Sequence, residues 1–231
     1  MIFGVVVLAI VLVGTTGFVG LDSAQDHQRT TNAEQAFTVL AENVDDVTRR
    51  GAPSRGTEIR LADASLSLAE PERINVTVGD PAPENTTEVE MRPVVYDSGA
   101  GTTIAYSNGA IVRQDGDHSV MLREPSVVLT EDVVVLPIVA TSTDGDGRVG
   151  GTSAVDVRTR STGTEVVAAD DSATDVTVTV EVTSVRVESW YRFLDGGTGA
   201  DCEEPDGGTV TCEIETQRVY VTVEHVDVRF R

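Results

Sequence analysis

Residues 1–21, MIFGVVVLAIVLVGTTGFVGL, carry no charged side chain, and at Asp22 the chain turns polar and stays acidic to its end. In water such a run leaves apolar surface unburied on every side. Coiled as a helix at about 1.5 Å per residue it makes a rod of roughly 30 Å, the thickness of a bilayer's hydrocarbon core. The reading is a membrane-spanning or self-packing helix. Gly14, Gly17 and Gly20 place small residues along its second half, where another helix backbone can approach closely, although small residues are also simply frequent in membrane helices. A secretory signal is the competing reading, but no basic segment precedes the run and its apolar part is longer than in most cleaved signals, so a retained anchor is expected.

The remainder is strongly acidic. Seventeen cationic residues, all arginine, stand against 38 Asp and Glu, for a formal charge of −21 on 231 residues. Such a surface repels nucleic acid, which is excluded as an expected partner. The self-repulsion is costly in dilute buffer but is screened at molar salt, where the Debye length falls to about 3 Å. The composition therefore fits a protein of a halophile, with the soluble part expected to lose structure when salt is removed.

Along the chain the apolar spacing changes once. Ala33, Phe37, Leu40, Val44 and Val47 recur at intervals of four and three, the stripe of an amphipathic helix, with Glu34, Glu42, Asp45 and Asp46 opposite. No proline or glycine lies between Gly20 and Gly51. One helix and stalk over residues 1–50 is the economical expectation, ended by Arg49-Arg50-Gly51. From residue 57 onward the period is two. Runs at Ile74–Val78, Val94–Tyr96, Thr103–Tyr106, Val133–Ala140 and Val176–Val182 alternate as strands, and Asn108-Gly109 is the strongest hairpin signal. Ser142–Gly151 reads as a surface loop, Arg186, Trp190, Phe193 and Leu194 fit a short helix better than the alternative of a bent strand, and the phase of the last valines shifts near His225, where a bulge is the simplest account. The fold class expected is α+β: a long N-terminal hydrophobic helix, then a single antiparallel, sandwich-like β head over 57–231.

Few residues suggest chemistry. Cys202 and Cys212 flank an acidic, Gly-rich turn with a spacing that matches no zinc or Cys-x-x-Cys pattern, so a disulfide is expected. Asn75-Val76-Thr77 and Asn85-Thr86-Thr87 are N-glycosylation sequons, both expected in or beside turns. Asp144-Gly145-Asp146-Gly147 has the start of a calcium loop but lacks its distal glutamate, and reads as a hydrated turn. His27, His118 and His225 sit in no nucleophile or zinc motif. No catalytic residue, cofactor or metal is expected.

The plan, an uncharged rod continuing as a stalk into a valine-rich head, resembles that of type IV pilins. In wording it is similar to the haloarchaeal branch of pilin-like surface proteins. The likeness is carried by VVVLAIVLVGTTGFVGL, AEQAFTVLAENVDDV, YSNGAIVRQDGDHSVML, VVLPIVATSTDGDG and GGTVTCEIETQRVYVTV. The resemblance implies a non-catalytic cell-surface protein whose N-terminal helices pack with one another, through Gly14, Gly17, Gly20 and the stripe Phe37, Leu40, Val44 and Val47, or remain in membrane lipid. It implies a pilus assembly machinery as partner and an extracellular head. The chain opens on the rod itself, without the basic leader of prepilins, and has Val5 where bacterial-type pilins place a glutamate. The alternative expectation is a single-span surface receptor or adhesin whose β head binds a ligand.

Overall fold

The computed structural model describes residues 25, 27–145, 147–170 and 174–231. Within them the chain forms two α-helices, α1 over 27–48 and α2 over Val187–Gly197, and strands that fall into three sheets. The first sheet runs β1 (Arg55–Arg60), β12 (Ala154–Asp170), β16 (Val219–Phe230), β10 (Val134–Ser142), β9 (Val128–Leu129). The second runs β11 (Arg148–Gly151), β2 (Ala64–Leu68), β5 (Val94–Asp97), β6 (Thr102–Ser107), β7 (Ala110–Asp115), β8 (His118–Arg123). The third runs β14 (Asp201–Cys202), β15 (Thr209–Thr216), β13 (Val176–Thr183), β3 (Glu72–Val78), β4 (Thr86–Met91).

These sheets enclose two cores. One gathers Val178, Val180 and Val182 of β13, Ile74 and Val76 of β3, Leu136 and Ile138 of β10, and Trp190 and Leu194 of α2. The other gathers Phe37, Leu40 and Val44 of α1 with Leu66, Tyr96, Ile104 and Tyr106 of the second sheet and Val155 and Val157 of β12. Strand β16 serves both. Its odd-numbered Val219, Val221 and Val223 lie in the first core, and its even-numbered Val226 and Val228 in the second. Successive side chains leave a strand by opposite faces, so the two cores occupy opposite faces of the first sheet, one toward each end of β16. This explains the phase shift near His225. The irregularity sits on the partner strand, where Gly163 pairs with His225 and Ser161 with Val226, leaving Thr162 as the extra residue.

The expected fold class is corrected on several counts. The protein is mostly β, with 54% of the described residues in strands. Neither α-helix, among the described residues, is long and apolar enough to cross a membrane, and the run 1–21 with Gly14, Gly17 and Gly20 lies outside those residues. The head is not wholly antiparallel either, since β10 and β16 pair in parallel from Val134↔Val219 to Ser142↔Asp227. Nor does α1 stand clear of the head. Ala33, Phe37, Leu40, Val44 and Val47 are all buried, because the nearest apolar surface able to cover that stripe is the chain's own second sheet.

Local signals succeed where they are strong. Asn108 and Gly109 take positive φ, 47° and 81°, and join β6 to β7, as a two-residue hairpin requires. Val176–Val182 is the middle strand of its sheet. Most of β12 has no alternation to read. It is long because β16 offers a ladder to pair with.

Candidate functional site

Glu72 opens β3 on the same face as Ile74 and Val76, and is only 4% exposed. Its carboxylate accepts from three side chains. The Ser107 hydroxyl donates to Oε2 at 2.6 Å, and the Ser184 hydroxyl and Arg186 guanidinium donate to Oε1 at 2.6 and 3.2 Å. Ser107 ends β6, Glu72 opens β3 and Arg186 caps α2, so one anion ties the second sheet, the third sheet and the helix together. Burial pushes the Arg186 guanidinium down from its ordinary range, opposed by the Glu72 charge. A carboxylate with its acceptor sites so engaged holds structure in place and is poorly placed to take a proton from a substrate. Period-two alternation in Glu72-Arg73-Ile74-Asn75-Val76 was the signal that could have found it.

The second polar assembly lines the margins of α1. Asp45 accepts from Arg123 at 2.5 Å, Arg49 donates to the Ser126 hydroxyl at 2.8 Å, and Glu34 accepts from Arg113 at 3.0 Å. These pins fix the helix on either side of its apolar stripe. Beside the helix start, a cleft of about 450 Å³ is lined by His27, Tyr96, Ser98, Thr102, Arg113 and Asp115, among others. Its charges are already engaged. The Thr102 hydroxyl and then Arg113 hold the Asp115 carboxyl below the usual range, and Asp115 in turn raises Arg113. Toward the other end of α1, near Asp45 and Arg123, Tyr106 is fully buried, and desolvation pushes its phenol well above the ordinary value.

His27, His118 and His225 lie on α1, β8 and β16. Among the described residues no group of three or more His, Cys, Asp or Glu is placed to hold a metal ion. Asp144 faces Arg229 at 3.7 Å, Asp146 lies outside the described residues, and part of the expected loop is strand β11, paired with β2.

A family model described as a family of unknown function, DUF7289, matches residues 1–229. The chain belongs to that family. No curated protein and no solved structure matches it.

In this DUF7289 member Cys202 and Cys212 are joined, directly opposite each other on β14 and β15 with Cα atoms 4.1 Å apart. Closing a loop of this length contributes about 2.5 to 3 kcal/mol by chain entropy. The sequons differ from each other. Asn85 is exposed at the end of a short 3-10 turn, and its amide donates to the Asp80 carbonyl at 2.9 Å. Asn75 lies mid-strand in β3, not at a turn, with its amide donating to Glu181 at 3.1 Å. A glycan on Asn75 would replace one of the two hydrogens on that nitrogen, leaving a single N–H for the cross-strand bond.

Proposed function

We propose that this is a non-catalytic, pilin-like cell-surface protein of a halophilic archaeon, in which the uncharged segment Met1–Leu21 is buried in membrane lipid or against sister copies while the acidic head faces outward. The observation that carries the reading is the abrupt change at Asp22 between an uncharged run and a head of formal charge −21. The pilus assembly machinery is the partner this reading calls for, and glycosylation at Asn85 fits an exported head better than at Asn75. Gly14→Leu and Gly17→Leu test close packing of the opening segment. Electron microscopy of cell surfaces should show fibres lost in the double variant, and fibres of wild-type number and length would remove the packing idea.

A second reading has an observation of its own. The stripe Phe37, Leu40, Val44 and Val47 is spent inside the head, which leaves less apolar surface for lateral packing and favours a tethered receptor or adhesin. Gel filtration of the full chain in detergent, with microscopy of cells, separates the two: ordered fibres support the pilin-like reading and dispersed monomers the tether.

A further inference from the structure

We infer that the head carries two complementary charged grooves at its opposite ends, through which one copy of this chain meets the next. The first groove, about 320 Å³, is lined by Ser54, Arg158, Arg160, Asp227, Arg229 and Arg231. Four of the chain's 17 arginines thus face one carboxylate there, in a protein of charge −21. They share the outer face of β12 and β16, because Val155, Val157, Val226 and Val228 between them turn into the core.

Arg158 stands directly opposite Arg229 in the register. Like charges in that position destabilise a sheet unless an anion lies between or above them. Internal carboxylates supply part of that need. Arg229 donates to Asp227 at 2.8 Å and lies 3.7 Å from Asp144, and Arg158 lies 3.5 Å from Asp156. Arg160 and Arg231 have no ion pair among the described residues.

The second groove, about 640 Å³, presents six exposed carboxylates, Glu131, Asp132, Asp175, Asp201, Glu213 and Glu215, and no cationic side chain lines it. It repeats the same device with the sign reversed, for Asp201 is paired directly opposite Glu213. The two grooves cannot satisfy each other within one copy. Gln217, in the acidic groove, precedes β16, whereas Asp227 and Arg229 lie near its end and Arg231 follows it. Twelve residues of strand separate them by roughly 40 Å.

The occupant that fits is therefore a second copy, its acidic groove against the first copy's arginines. Guanidinium groups suit this because each can hold a carboxylate by two parallel hydrogen bonds. A contact between different patches at opposite ends is heterologous and continues into an open chain unless rotation closes it. Overall charge opposes the approach in dilute salt. At about 1 M salt that long-range repulsion is screened beyond about 3 Å while pairs in contact persist, so association strengthens as salt rises toward this range. The inference does not rest on the reading of the apolar opening, since filaments and tethered arrays could both use it.

Sedimentation velocity of the full chain in detergent at about 1 M salt tests it. Arg158→Glu with Arg229→Glu leaves two arginines against three carboxylates in the first groove, and Glu213→Arg with Glu215→Arg cuts the second from six carboxylates to four and adds two arginines, so each variant keeps one wild-type groove that the other lacks. Wild type should associate as concentration rises, each double variant should associate at least about tenfold more weakly, and an equimolar mixture of the two should recover association. Contacts through the opening segment are common to every sample and cancel from the comparison. Circular dichroism reports folding, and Arg160→Gln with Arg231→Gln, which removes only cations without internal ion pairs, should weaken association severalfold if a reversal variant fails to fold. Wild type that stays monomeric, variants that associate like wild type, or a mixture no stronger than its components would each overturn the inference.

Discussion

The core between the first and third sheets is closed by strands, the short helix α2, a disulfide and a buried ion pair, whereas the core over the second sheet is closed by the long helix α1, pinned at its margins. In the first, charge is inside: Glu72 and Arg186 have side chains 5% and 6% exposed. In the second, charge stays at the rim, where Arg113 and Arg123 remain about 30% exposed, at 31% and 28%. The difference teaches where each is vulnerable. A buried pair fails when one partner is removed, because the survivor cannot find water. A helix lid fails when its apolar volume is removed, because rim pairs in solvent contribute little.

The largest effect is expected from Arg186→Ala, which leaves Glu72 buried with only hydroxyl partners. Chemical denaturation should show a loss of about 4 kcal/mol, and a loss under 1 kcal/mol would mean that the two serines suffice. Next comes Leu40→Ala, which leaves a cavity under α1 at a site that is fully buried. Its cost should be roughly 3 kcal/mol, with hydrogen exchange of the helix amides accelerating more than that of β13. Equal acceleration in both would erase the distinction between the cores. The smallest of the three is the pair Cys202→Ser and Cys212→Ser, at about 2.5 kcal/mol, read by calorimetry. Because the bridge lies beside the first core, α1 should keep its exchange protection below the transition.

Those two cores also mark the limit of what the residues disclosed. Short-range rules were sufficient for the hairpin at Asn108-Gly109, the helix around Trp190 and the disulfide, since each depends on neighbours in the chain. The stripe of α1 was equally legible as a stripe, but its partner was not, because an apolar face says that it must be covered and not by what. Reading it as an outward stalk followed from the uncharged run before it. The parallel pairing of β10 with β16 had no local signature, as strands far apart in the chain met only through tertiary packing. Glu72 fell outside the run read as a strand, which began at Ile74, although extending the same alternation two residues back places it on the buried face. The arginine groove was invisible because its cations are far apart in the chain: Arg158 and Arg160 lie on β12, Arg229 on β16 and Arg231 just after it.

Strand β16 turns odd positions inward at its start and even positions inward toward its end. Its midpoint therefore acts as a parity switch. Deleting one residue at Glu224 or His225 would turn one half of the strand inside out while sparing the other, and removing two would restore both. Viable changes in the length of that segment should accordingly come in twos.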